Sequence, residues 1–202
     1  MKVAVVGGTG RAGSQIVEEL ARRGHQVTAL ARHPDKAPKA AGVTAKAVDI
    51  HDAKAMTEAL RGHDVVVSAL RFSDATPAEV IGVVKASGAP RYLVVGGAAS
   101  LTAGGARLFD SPHFPEAFKP EAGAAIAFLD VLKSEPDLDW TFMSPPMIFD
   151  GSERRGTYRT GLDELLVGAD GKSTISFPDY AIAIADEIET PKHRRKRFTV
   201  GY

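Results

Sequence analysis

A short apolar run at residues 3–6 leads straight into Gly7-Gly8-Thr9-Gly10-Arg11-Ala12-Gly13, and a helical pattern built on Ile16, Val17, Leu20 and Ala21 follows at once. No other feature constrains the fold as tightly. Glycines so placed predict a tight turn, a backbone that comes close to a ligand, and a helix packed hard on its strand. Amides left free at the mouth of such a helix, helped by its dipole, suit paired phosphates. The pattern predicts a dinucleotide pyrophosphate seated on Gly7, Thr9, Gly10, Arg11, Ala12 and Gly13. Strand, motif and helix coincide here, which an ordinary glycine turn does not require.

The chain continues in the same alternating manner. Residues 27–30, 43–48, 65–70, 92–95 and 140–143 are rich in β-branched or aromatic residues and read as further buried parallel strands. Helices are predicted over residues 53–60 and 115–134, and from a Thr76 cap and Pro77 through Val80, Ile81, Val83 and Val84 to Gly88. Right-handed crossovers then give an α/β fold, a doubly wound parallel sheet of the NAD(P)-binding Rossmann type with strand order 3-2-1-4-5-6. Residues 149–158 and 161–172 read as excursions over the top of the sheet. A helix at 177–189 and a closing strand at 198–201 follow. The 202 residues, 44% apolar, suit a single domain in which about 149–202 form a small substrate-covering part.

Several classes are disfavoured. Lysine plus arginine balances aspartate plus glutamate at 25 each, so no global field favours nucleic acid or an anionic membrane. The basic run 192–197 reads as a solvated turn. No apolar stretch approaches the roughly 20 residues of a membrane span, and no export signal is evident, so a cytoplasmic protein is expected. Cysteine is absent, and the six histidines never fall two to a helical turn, which argues against a metal site. No G-x-S-x-G elbow points to a hydrolase. A small-molecule partner is expected, with the chain a monomer or homodimer.

The second strand ends Leu30-Ala31-Arg32-His33, where an acid would otherwise hold the ribose 2′-hydroxyl. Arg32 can instead clasp a 2′-phosphate, with Arg11 as second cation, so NADP is favoured over NAD; Asp35 is a weaker rival for the ribose. Asp49 and Ile50 can meet the adenine amino group and ring, although Asp49 can equally cap the next helix. Ala69, Leu70 and Arg71, then Gly96 and Gly97, follow the fourth and fifth strands, where ligands of such sheets bind.

With these residues in view, the chain resembles an atypical short-chain dehydrogenase/reductase. It is most similar to the family described as NADH-flavin reductases, relatives of biliverdin reductase B. The resemblance spans GGTGRAG at 7–13, VGGAASL at 95–101, MSPPMIFDGSERRGTYRTG at 143–161, ISFPDYAIAIADEIE at 175–189 and FTVGY at 198–202. It implies a nicotinamide near Gly96, Gly97, Pro145, Met147 and Ile148, with Ser100 as the catalytic hydrogen-bond donor. The tyrosine and lysine pair of typical members is missing, since Gly96, Leu162 and Ile184 stand four residues after Tyr92, Tyr158 and Tyr180, and the chain has no asparagine. An alkoxide would thus find no positioned acid. A flavin such as FMN or FAD delocalises the charge, so hydride transfer to a planar conjugated acceptor is the expected activity. Phe109, Phe114, Phe118 and Phe149 are candidates for an apolar wall. The alternative is a dinucleotide-binding redox sensor or regulator, similar to NmrA-like proteins, without turnover; an epimerase or sugar reductase is penalised by the missing acid.

Overall fold

The computed structural model describes residues 1–202. The chain begins β1 (Lys2–Val6), α1 (Arg11–Arg22), β2 (Gln26–Ala31), β3 (Val43–Ala47), α2 (Ala53–Leu60), β4 (Val65–Ser68), α3 (Pro77–Ser87) and β5 (Arg91–Val95). A small hairpin follows, β6 (Thr102–Ala103) and β7 (Ala106–Arg107), then α4 (Lys119–Lys133) and β8 (Trp140–Ser144). The last part holds β9 (Ile148–Phe149), β10 (Arg159–Gly161), β11 (Thr174–Ile175), α5 (Phe177–Glu189) and β12 (Lys196–Gly201).

Eight strands form one sheet in the order β10-β12-β8-β5-β4-β1-β2-β3. All neighbours are parallel except β10, which runs antiparallel to β12 at the edge. The stretch from β3 to β8 is the expected 3-2-1-4-5-6 order. Strand alternation sorts the core into two layers. Val3 and Val5 join Ile16, Leu20, Tyr180, Ile184 and Ile188 on the α1 and α5 side. Ala4 and Val6 join Met56, Leu60, Val80, Val84, Phe128 and Leu132 on the face covered by α2, α3 and α4.

Two expectations need correction. Residues 43–48 were expected to be buried, yet Val43 is half-buried and Thr44 to Ala47 are exposed, because β3 is the outermost strand. Lys46 on such an edge discourages further strand pairing. The region after Phe149 is also less of a cover than expected. β10 and β12 extend the sheet, α5 packs beside α1, and β9 pairs with β11 in a short parallel ribbon. Buried Asp179 ties this part together by accepting from the amides of Arg155 (3.0 Å) and Gly156 (2.9 Å) and from the Tyr202 hydroxyl (2.5 Å).

The α3 start is a reciprocal cap. The Glu79 amide donates to the Thr76 hydroxyl (3.3 Å), while the Glu79 carboxylate accepts from the Thr76 hydroxyl (2.7 Å) and amide (2.8 Å). Those bonds, with His51 nearby, lower the Glu79 pKa from 4.5 to about 2. A pKa depressed by folding adds stability that is present above pH 4.5 and lost as pH falls through about 2. Thr76→Ala is therefore expected to flatten the acid limb of the stability curve between those values, as read by denaturant unfolding. An unchanged acid slope would remove Glu79 from that account.

Candidate functional site

The glycine turn lies at the carboxyl end of β1, and sterics explain its composition. Gly7 has φ +79°, and a Cβ there would sit 2.7 Å from the Ala69 carbonyl oxygen. A Cβ on Gly13 would lie 2.1 Å from the Gly7 oxygen, so no side chain fits without moving the backbone. The Gly7 and Gly8 amides donate to the Leu30 carbonyl (2.9 and 3.3 Å), and the Gly10 amide donates to Gly7 (3.0 Å). The amides of Thr9, Arg11, Ala12 and Gly13 meet no protein acceptor, and Gly10 caps α1 without a side-chain bond. Free amides around a glycine cradle are suited to hold an anion such as phosphate.

This turn opens on a cleft of about 540 Å³ at the ends of β1, β2 and β4. The cleft brings together Gly7, Thr9, Gly10, Arg32, Asp49, Ile50, Ala69, Leu70 and Arg71. Neither Arg32 nor Arg71 has an ion-pair or hydrogen-bond partner among the side-chain interactions of the fold, so the cleft carries two unpaired guanidinium groups beside the carboxylates of Asp49 and Asp74. His33 and His51 also line it. Nothing in their spacing marks them, beyond their positions beside Arg32 and Asp49. Asp35 lies in a separate hollow against β3. The Asp49 carboxylate accepts from the His51 amide (3.0 Å), and Asp52, rather than Asp49, caps α2 through the Ala55 amide (2.9 Å).

A second cavity, of about 470 Å³, lies between the end of β5 and α4 and includes Gly96, Gly97 and Met147. The loop 71–74 separates the two spaces. Arg71, Ser73 and Asp74 face the first, and Phe72 faces the second. Glu121, in the first turn of α4, holds this loop by accepting from the Phe72 amide (2.7 Å) and the Ser73 amide (3.0 Å). Gly96 permits close packing, since a Cβ there would lie 2.3 Å from the Phe142 ring.

Other expected residues are placed differently. Arg11 pairs with Asp150 and stacks over the Phe177 ring at 4.7 Å, and it does not line the cleft beside Arg32. The first residue of α1 points toward α5, which explains the direction. Ser100, expected at the reaction centre, lies outside both cavities, and its hydroxyl accepts from Arg197 (3.1 Å). Pro145 is buried and Ile148 belongs to the β9 ribbon, so neither lines a cavity. Among the phenylalanines, Phe114 and Phe118 line the second cavity, while Phe109 packs behind Phe114 (5.3 Å). Phe149 packs on Phe177 (4.5 Å) and Tyr180 (4.6 Å), leaving its expected place in the wall to Phe72.

No tyrosine lines either cavity. Burial pushes the phenols of Tyr92 and Tyr180 well above their ordinary range, and Tyr180 donates to the Met143 carbonyl (2.5 Å). Tyr158 donates to Asp186 (2.5 Å). Histidine, aspartate and glutamate side chains form no group of three or more suited to a metal ion, and no helix is long and apolar enough to cross a membrane.

The protein family described as NAD(P)H-binding matches residues 7–191. Solved structures agree with it over the whole chain. A Bacteroides thetaiotaomicron protein provisionally described as an epimerase is 39% identical, with a TM-score of 0.93 over 100% of this chain and 96% of that one. A Burkholderia pseudomallei protein provisionally described as exported is 43% identical, with a TM-score of 0.85 over 100% of both chains. A Streptococcus pneumoniae protein provisionally described as an NADH-flavin reductase is 36% identical, with a TM-score of 0.86 over 100% of this chain and 99% of that one.

Proposed function

The chain belongs to the NAD(P)H-binding family and has the Rossmann fold of atypical short-chain dehydrogenases/reductases, and from that premise we propose that it passes hydride from NADPH to a flavin or similar planar acceptor. The observation that carries the reading is the adjacency of the two spaces. A cradle of free amides with unpaired arginines opens beside an apolar cavity, and the loop 71–74 lines both. The Thr9, Arg11, Ala12 and Gly13 amides would hold the pyrophosphate. Arg32 would take the 2′-phosphate, Asp49 and Ile50 the adenine, and Ala69, Leu70 and Arg71 the ribose. Gly96, Gly97 and Met147 would border the nicotinamide. When bound, the nicotinamide supplies a hydride, which with one solvent proton reduces the acceptor by two electrons. Positioning by the apolar walls replaces the missing acid.

Purified protein should consume NADPH steadily in air with a flavin present, read from the near-ultraviolet absorbance of the reduced nicotinamide. Arg32→Glu should weaken NADPH at least about tenfold and NADH less than about threefold, because it places a carboxylate opposite a phosphate. Equal losses for both nucleotides would overturn the Arg32 assignment. The absence of any tyrosine from both cavities favours one other reading, a dinucleotide sensor. Tight NADPH binding without consumption, with either a flavin or a quinone, would establish that reading instead.

A further inference from the structure

The second cavity has a charge pattern that bears on its occupant. No lysine or arginine lines it, and its walls are mainly Phe72, Phe114, Phe118, Ala125 and Met147. Its rim is openly apolar, with Phe118 65% and Met147 64% exposed. The titratable side chains that face it are Glu121 and His113. Both oxygens of Glu121 are engaged by the Phe72 and Ser73 amides, which hold its carboxylate against the loop at the cavity wall. Cations that flank lining residues along the chain lie outside the lining, in exposed ion pairs. Arg107 is bidentate with Asp110 (2.9 and 2.9 Å), and Lys119 pairs with Glu116. Arg71 stands on the far side of the loop, in the dinucleotide cleft.

We propose that this cavity selects flat conjugated acceptors that carry no phosphate, such as a free isoalloxazine or a quinone, and that Glu121 sets the preference. The inference rests on the reductase reading for its biological sense, but it concerns only what the cavity accepts. An anion brought to this wall gives up water without gaining a cationic partner, and it meets a fixed negative charge. A neutral ring loses nothing of the kind and gains apolar and aromatic contact. Phe72 is well suited to provide it, since its ring is fixed against Phe128 (5.3 Å) and Phe142 (5.9 Å).

Riboflavin and FMN share one fluorophore and differ by one phosphate, which makes them a matched pair. Fluorescence titrations with NADP⁺ present, at about pH 8, should give riboflavin a Kd at least about tenfold below that of FMN. Equal affinities, or tighter FMN, would overturn the proposal. Glu121→Gln should narrow the ratio several-fold; an unchanged ratio would overturn the role of Glu121. Should that variant fail to fold, added salt on the unaltered protein should narrow the same ratio, and a salt-independent ratio would count against it equally. The two readings fail separately. Selective riboflavin binding without NADPH consumption sinks the reductase and spares the cavity, whereas steady quinone reduction with no flavin preference sinks the cavity inference alone.

Discussion

Gly13→Ala is expected to raise the dissociation constant for NADPH at least about a hundredfold, some 2.7 kcal/mol, with a lowered melting temperature. The new methyl group would stand 2.1 Å from the Gly7 oxygen and 2.9 Å from the Gly7 carbonyl carbon, both backbone atoms that cannot turn aside. Relief requires α1 to back away from β1, which moves the free amides off the line of the phosphates. Gly10→Ala is the control within the same turn. Its methyl group would lie 3.3 Å from the Gly7 oxygen, a contact that a small shift relieves, so binding should weaken far less. Isothermal titration calorimetry distinguishes the two. A Gly13→Ala protein that binds NADPH within about threefold of the parent would show that the cradle is not the phosphate site.

Glu187→Ala is expected to cost about 3–5 kcal/mol of folding stability, the range found when one partner of a buried ion pair is removed. Glu187 is buried near the end of α5 and accepts from Arg91 Nη2 (3.1 Å) and the His193 amide (2.8 Å), and His193 Nδ1 lies 2.9 Å from its carboxylate. Arg91 is itself 7% exposed at the start of β5, and burial pulls its pKa down while Asp139 and Glu187 oppose that shift. Without Glu187, the guanidinium would keep the Asp139 carbonyl (3.0 Å), the Asp139 carboxylate (3.3 Å) and the Thr141 hydroxyl (2.6 Å) but lose its most buried counter-charge. Arg194→Ala provides contrast. Its side chain is 62% exposed on Asp139, and such surface pairs are worth less than about 1 kcal/mol. Urea denaturation measures both, and a Glu187→Ala loss under about 1 kcal/mol would defeat the argument. Arg91 and Glu187 line neither cavity of the candidate site, so NADPH affinity of the folded variant should stay within about twofold.

Much of the architecture was legible because its signals are local. Alternation along residues 3–6, the glycine turn, and the Thr76 to Gly88 helix each depend on residues within a few positions of one another. Edge and centre are not distinguished by such signals. The apolar run at 43–48 resembled an interior strand, yet no further strand pairs with its outer edge. The same limit governs the site. The sequence pointed to Phe149 for the apolar wall, but Phe72 stands there, because Glu121 reaches it from 49 positions away.

From the order of residues alone came the strand sequence, the exclusion of side chains from the turn at Gly7 to Gly13, and the lack of a tyrosine with a lysine four places on. Each follows from short-range sterics or from simple counting. The tertiary structure alone decided that Arg11 turns to Asp150, that Ser100 is held by Arg197, and that Glu121 fastens the wall between two spaces. Those pairings join residues 139, 97, 49 and 48 positions apart, and a side chain's partner at that range is chosen by how the sheet stacks its helices and loops, which no local pattern encodes.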